Sequence, residues 1–132
     1  MTGYPQFNFP LFHMASAKLR AAGFAIISPA EMDSPAVQTA AIASADGKLD
    51  AQGKIAGETW GEILARDVRI VADQVQGLIF LPKWFDSKGA KLEAFTALLC
   101  GHKFGIYTDN NPLVVWMPAH EVFANVSRCM KL

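Results

Sequence analysis

The stretch GLIFLPKWFDSKGAKLEAFTALLCGHKFGIY, residues 77–107, decides the fold of this chain. Its two ends, GLIFLP and FGIY, are short and almost wholly apolar, which is typical of strands buried on both faces. The segment between them, Asp86 to His102, has the length of a helix and is apolar on nearly every side. Strand, helix and strand in this order predict a parallel βαβ unit.

The flanking segments continue the alternation of helix and strand. Gly23 stands where a helix that begins at about Asn8 should end. The polar and small residues from Glu31 to Gly57 predict no regular structure. The apolar periods predict further elements, namely helices over about residues 8–22, 58–74 and 118–130 and strands over residues 24–28 and 113–116. We therefore expect one α/β domain over residues 1–132, with a Rossmann-like or flavodoxin-like parallel sheet sandwiched by helices.

The composition excludes several classes of protein. The 12 basic and 12 acidic residues balance, so the chain has no electrostatic footprint for duplex nucleic acid or for an anionic membrane. No apolar run approaches the length of a bilayer span, and the N-terminus lacks the order of a signal peptide. Cys100 and Cys129 are too few for a disulfide framework or a zinc site, so we expect a reducing cytoplasm. For an enzyme of the kind considered below, we expect no metal and no cofactor.

Glu93 is the unusual residue of the helix over 86–102. Its face of the helix is otherwise formed by small residues, Gly89, Ala97 and Cys100, and such a face suits the floor of a cavity. In one alternative Glu93 points into solvent, and in another it pairs with Lys or Arg at a subunit interface. Asp86 or Ser87 would cap the helix, whose open N–H groups and dipole favour an anion and an ionised Glu93.

Asp67 is a second acid at the border of a buried face. The helix over 58–74 carries an apolar stripe, and Asp67 lies roughly 60° from its centre, whereas Arg66 falls on the solvated side. An acid in that position is either paired with a neighbour or used in chemistry. In doubly wound sheets ligands bind beyond the carboxyl ends of the strands, which points to the residues after Ser28 and after Pro82.

Four stretches together carry a resemblance to a known family. They are MTGYPQFNFPLF, LRAAGFAIISPAE, the Arg66-Asp67 pair and LPKWFDSKGAKLEA, and they span roughly residues 1–107. The chain resembles the nucleoside 2-deoxyribosyltransferase superfamily, and within it a branch of short phage and bacterial domains of unassigned function. Better-understood members are deoxyribosyltransferases and N-glycosidases of 2'-deoxynucleoside 5'-monophosphates, so the resemblance implies an enzyme that acts on a nucleotide or nucleoside.

The resemblance also implies roles for individual residues. The run from Gly89 to Glu93 matches the superfamily's Gly-x-x-x-Glu motif, whose glutamate attacks the anomeric carbon and forms a glycosyl-enzyme. Asp67 matches an aspartate that protonates or orients the base. The remaining substrate-binding residues implied are Ser87 for a 5'-phosphate, Gly89 beside it, and the first loop with Thr2, Gly3, Tyr4 and Asn8. Trp84 departs from the superfamily, since it is bulky where nucleotide-specific relatives often have a smaller residue, and we expect it to line and narrow the pocket.

Two expectations concern the whole protein. The superfamily normally opens with a strand ending in Gly-Pro just ahead of Met-Thr-Gly, and this sequence begins at that Met, so the sheet is expected to lack its usual first strand. Either the true start lies upstream, or the protein has rearranged its sheet or lost the activity. The helix around Phe95 and Leu98 has one apolar face too many for a monomer, which predicts a homodimer or a larger homo-oligomer. The location expected is the cytoplasm, that of the host if the protein is phage-encoded.

Three functions remain open at this point. The first is N-glycosidic bond cleavage or transfer through Glu93. The second is a non-catalytic nucleotide-binding or nucleotide-signal-sequestering domain, which the missing strand and the bulky Trp84 favour. The third is a structural phage protein that borrows the fold. A retained pair of Glu93 and Asp67 favours the enzyme, since a binder has no need of it.

Overall fold

The computed structural model describes residues 2–130 and forms two compact units, Met1–Leu64 and Ala65–Leu132. Each unit is built around a core of its own. The chain is a mixed α/β protein, as the alternation of apolar periods predicts. A single domain over residues 1–132 stays a prediction.

The first unit begins with a short 3₁₀ turn, Pro5–Asn8, followed by helix α1, Phe9–Ala21. The helix ends where the sequence predicts, because Gly23 adopts a left-handed φ of 100°. The N–H of Phe24 then donates to the carbonyl of Leu19 at 3.1 Å, and that of Gly23 to Arg20 at 3.0 Å. These two bonds form a Schellman motif, which satisfies carbonyl groups at the helix end.

Residues 24–28 form no strand, so the strand predicted for FAIIS is wrong. A strand requires a neighbouring strand for its backbone groups. Among the described residues of the first unit, the strands β1, Lys54–Ile55, and β2, Glu58–Thr59, pair only with each other. An apolar run with no partner stays extended without becoming part of a sheet.

The segment predicted to be irregular instead contains two helices, α2, Pro29–Met32, and α3, Pro35–Ala43. Both helices place proline in the first turn, where the missing N–H has no intrahelical partner to lose. The hydroxyl of Ser34 caps α3 by accepting the N–H of Val37 at 3.2 Å. The core of this unit consists of Phe7, Phe9, Ala30, Val37, Ala41 and Ile55.

Helix α4, Trp60–Asp73, leads from the first unit into the second. The second unit continues with β3, Gly77–Phe80, a 3₁₀ turn at Trp84–Asp86 and helix α5, Lys88–Leu99. It ends with β4, Lys103–Tyr107, β5, Val114–Met117, and α6, Ala119–Met130. Each of these elements overlaps a helix or strand that the sequence predicts.

The sheet of the second unit has the order β3-β4-β5. Strands β3 and β4 are parallel, with Gly77 opposite Lys103, which confirms the βαβ unit. Strands β4 and β5 are antiparallel, with Tyr107 opposite Val114, so the prediction of a wholly parallel sheet is wrong. The reason is the short connection over residues 108–113, since a parallel crossover needs about a dozen residues or more.

Helices α5 and α6 pack on each other, α5 also on β3 and α6 also on β4. Gly105 is required at the centre of the sheet, because a Cβ there would lie 2.5 Å from Cγ1 of Val114 and 3.2 Å from Cε3 of Trp116. The buried side chains of this core are Val71, Phe80, Trp84, Ala94, Ala97, Phe104, Val122 and Val126.

Candidate functional site

Asp67 lies in the middle of α4 and is paired with its neighbour in sequence. Both Nε and Nη2 of Arg66 donate to Oδ1 of Asp67, at 2.9 and 2.6 Å. The Asp67 side chain retains 11% of its exposure and the Arg66 side chain 26%. The border position predicted for Asp67 is therefore a nearly buried one, and an adjacent guanidinium compensates its charge.

Arg66 is the residue of this site that the sequence does not predict. The helical period places its Cα on the solvated side of α4, yet its long side chain reaches back to Asp67. The sequence feature that could have indicated this ion pair is that Arg and Asp are adjacent. The helical spacing of apolar residues carries no information about such a pair.

Glu93 lies in the second turn of α5, on the flank between the core side and the solvent side of that helix. Its neighbours one turn to either side, Gly89 and Ala97, are both buried, as the small-residue face predicts. Cys100 at the end of the same face is exposed. The side chain of Glu93 is only partly exposed.

Burial raises the pKa of the Glu93 carboxyl to about 8, and the negative charge of Asp67 raises it as well, while Arg66 lowers it. The expectation that the helix dipole keeps Glu93 ionised is thus wrong. The dipole acts within the first turn of a helix, and Glu93 lies beyond it, where loss of hydration dominates.

The site thus combines two carboxyl groups in different environments. Asp67 is paired with a guanidinium, whereas Glu93 is desolvated and mainly protonated at neutral pH. A neutral carboxyl group can donate one hydrogen bond and accept others. After losing its proton, the same group is a poorly hydrated carboxylate, which interacts strongly with a developing positive charge.

Ser87 is the N-cap of α5, since its hydroxyl accepts the N–H of Ala90 at 3.3 Å. The first N–H groups of the helix, those of Lys88 and Gly89, lie at its open end. The capping role predicted for Ser87 is confirmed. Its binding of a 5'-phosphate stays a prediction, as does the substrate contact of Gly89.

Trp84 is a core residue rather than a groove residue in this structure. It is 3% exposed, and its ring stacks on that of Phe80 with 4.1 Å between the centroids. Phe85 next to it is exposed and meets Trp84 edge-on. The substrate contact predicted for Trp84 would require this packing to change.

The predicted first loop belongs to the first unit and is held there by backbone hydrogen bonds. The N–H of Gly3 donates to Gly47 at 2.8 Å, and that of Gln6 to Ser44 at 2.7 Å. Thr2 is exposed, and Tyr4 and Asn8 are partly buried. Three successive residues without a glycine, Gln6, Phe7 and Asn8, have left-handed φ angles of 56°, 50° and 62°.

In the structure the charge of Asp67 acts on Glu93, so the two residues for which the sequence predicts catalysis interact electrostatically. Ser87 and Gly89 lie in the same unit, at the start of the helix that carries Glu93. The loop with Thr2, Gly3, Tyr4 and Asn8 lies in the other unit, and its part in the site stays a prediction.

The fold and the acid pair define a mixed α/β protein with a desolvated carboxyl group beside an Arg-paired aspartate. The chain belongs to the family described as Domain of unknown function (DUF4406), which matches residues 1–105. That span includes Asp67, Ser87 and Glu93. No curated protein and no solved structure matches the chain.

Two further findings apply to residues 2–130. Over this part of the chain, none of the helices is both long enough and apolar enough to cross a membrane. In the same residues, no three or more His, Cys, Asp or Glu side chains are grouped so as to hold a metal ion.

Proposed function

We propose that the protein is an N-glycosidase of nucleosides or (deoxy)nucleoside 5'-monophosphates, which cleaves the N-glycosidic bond or transfers the sugar. The observation that carries the proposal is the electrostatic coupling of Glu93 and Asp67. Two neighbouring acids whose environments give them different pKa values are typical of a nucleophile and an acid–base partner. A binding domain does not require a desolvated acid beside a second one.

The proposed reaction begins with one proton on the pair. As the bond from C1' to the base breaks, that proton passes to the base, and the carboxylate of Glu93 bonds to C1' of the sugar. Water then attacks C1', Glu93 leaves as a carboxylate, and one proton of the water returns to the pair. The products are the free base and the free sugar, or the sugar 5-phosphate from a 5'-monophosphate; if a second base replaces water, the product is a new nucleoside or nucleotide.

Arg66 has a defined part in this scheme. Its two hydrogen bonds to Oδ1 hold the orientation of Asp67 on α4. Because the guanidinium also lowers the pKa of Glu93, it eases loss of the proton that the attack requires. Arg66 is thus a positioning residue for the acid pair.

The proposal extends to the surroundings of the site. The unit β3–α5–β4 would be part of a Rossmann-like sheet, in which ligands bind beyond the carboxyl ends of parallel strands. Ser87 and the first N–H groups of α5 follow β3 and would take a 5'-phosphate. We further propose a cytoplasmic location, that of the host if the protein is phage-encoded, and a homo-oligomer.

The second candidate is a non-catalytic nucleotide-binding or signal-sequestering domain. The observation in its favour is that Glu93, with its pKa raised to about 8, is mainly neutral at pH 7. A neutral carboxyl group suits hydrogen bonding to a base or a sugar hydroxyl better than nucleophilic attack. This candidate predicts nucleotide binding without release of the base.

Base release from a panel of ribo- and deoxynucleosides and their 5'-monophosphates tests the two candidates. Wild type, Glu93→Gln and Glu121→Gln are compared by chromatography of the products, since Glu121 is an exposed glutamate on α6 of the same unit. We expect release by wild type and Glu121→Gln, and a loss of about 10³-fold or more in Glu93→Gln. Binding without release in all three folded proteins would overturn the enzyme and support the binder.

A further inference from the structure

An apolar stripe runs along the solvent side of α5. It consists of Leu92, Phe95 and Leu99, which are 38%, 42% and 75% exposed. At about 100° per residue these three positions fall within about 60° of each other. They lie on the side opposite Ala94 and Ala97, the alanines by which α5 joins the core.

The spacing of the stripe is that of a helix–helix seam. Residues 92, 95 and 99 follow each other by three and four positions, which is the a–d–a spacing of a coiled coil. A surface helix of a monomer normally carries polar residues on this side. From Leu92 to Leu99, after the exposed Lys88, helix α5 is therefore apolar both towards its core and towards solvent.

We propose that this stripe is the contact surface for a second copy of the chain, with α5 packing antiparallel against α5 of the partner about a two-fold axis near Phe95. A contact of this kind is self-complementary, because the same three side chains serve on both copies. The proposal goes beyond the proposed chemistry and does not depend on it, since Glu93 lies on a different side of the helix.

The lysines at the start of α5 complement the negative, carbonyl end of the same helix in a second copy, which favours an identical partner in an antiparallel arrangement. The first turn of α5 contains Lys88 and Lys91 and no acid, and its last turn contains no basic residue. This distribution is unfavourable for the dipole of an isolated helix. Antiparallel packing places both lysines beside the carbonyl end of α5 in the other copy, whereas parallel packing would bring the four lysines together.

The exposed area agrees with the core of a small dimer interface. Fully exposed side chains of this size present roughly 150–250 Å² each, so the stripe presents roughly 300 Å² per copy. A stable interface buries about 800 Å² per partner, of which the apolar centre is only part. The chain has equal numbers of basic and acidic residues, so two copies do not repel at long range.

Sedimentation and light scattering test the contact. Wild type is expected to have twice the chain mass of 14.3 kDa at tens of micromolar, and Leu99→Glu that of one chain. Met14→Glu is the matched control, since Met14 is 41% exposed on a helix of the other unit, and it should remain dimeric. A monomeric wild type, or a Leu99→Glu protein that is folded by circular dichroism and still dimeric, would overturn the proposal.

Disulfide formation tests the orientation. In a background with Cys100→Ser and Cys129→Ser, Phe95→Cys should form a dimeric disulfide on oxidation, since it lies next to the axis. Leu99→Cys should not, because antiparallel packing separates the two copies of residue 99 by about 12 Å along the helices, beyond the reach of a disulfide. A disulfide at position 99 without one at position 95 would contradict the two-fold axis proposed.

Discussion

At Glu93 two physical effects compete, and the larger one decides the protonation state. The open end of α5 favours a negative charge, but this influence fades within one turn. Loss of hydration acts on the carboxyl group itself, and it is the principal reason that the pKa of Glu93 rises to about 8. A carboxyl group held neutral in this way reduces the stability of the fold whenever it is made to ionise.

The stability of the protein should therefore decline as the pH rises. The pKa of Glu93 is about 8 in the folded protein against an ordinary value of 4.5, so between these values the folded state retains a proton that the unfolded state releases. The free energy of unfolding should fall by about 4–5 kcal/mol across that window and level off above pH 8. Urea unfolding at a series of pH values measures this decline.

The control for that measurement is a pair of conservative variants. Glu93→Gln cannot ionise, so its decline between pH 4.5 and pH 8 should disappear and its stability at high pH should exceed that of wild type. Glu121→Gln changes an exposed glutamate and should retain the decline. An equal decline in all three proteins would show that Glu93 titrates at its ordinary pKa.

Substitutions on α4 should move the pKa of Glu93 in opposite directions. Asp67→Asn removes a negative charge and should lower it, yet keep it above 4.5, because burial is the larger cause. Arg66→Gln removes a positive charge and should raise it. NMR titration of carboxyl-labelled Glu93 measures both shifts, and a shift of the same sign in both variants would contradict the coupling described.

Among the elements, those with a clear apolar period were predictable, and those that depend on a partner or a cap were not. Helix α5 and strands β3 and β4 follow from runs of apolar residues alone. FAIIS has the composition of a strand, but the spacing of its apolar residues does not show whether a neighbouring strand is there to pair with it. Helix α3 begins with Ser-Pro, which indicates a turn as readily as a capped helix start.

The antiparallel β4–β5 pair depends on one glycine. Gly105→Ala would place a methyl group 2.5 Å from Cγ1 of Val114, so β5 must shift, and we expect a loss of about 1–3 kcal/mol in the free energy of unfolding. Gly61→Ala on α4 is the control, since its nearest neighbour lies at 4.0 Å and alanine favours a helix. Val114→Ala should recover part of the loss in Gly105→Ala, and no recovery would place the strain elsewhere.

For the whole molecule, the sequence identifies Asp67 and Glu93 as unusual acids better than it predicts the side chains around them. Asp67 and Glu93 stand out as acids on largely apolar faces, and the structure couples them. The sequence does not predict the pairing of Arg66 with Asp67 or the core position of Trp84, because each depends on the direction in which a long side chain points. The antiparallel direction of β5 follows from the short connection over residues 108–113, a length that the predicted bounds of the two strands already contain.

The apolar face of α5 has a consequence for the stability of the whole molecule. If folded chains associate through Leu92, Phe95 and Leu99, mass action stabilises the folded state by an amount that grows with the logarithm of the protein concentration, so Tm should rise with concentration. Calorimetry of wild type at about 5 and 500 μM should show a higher Tm in the concentrated sample. Leu99→Glu should show the same Tm at both concentrations, because its exposed glutamate prevents the contact without disturbing a core that lies on the other side of the helix. A Tm of wild type that does not change over this range would mean that α5 remains a solvent-facing helix at these concentrations.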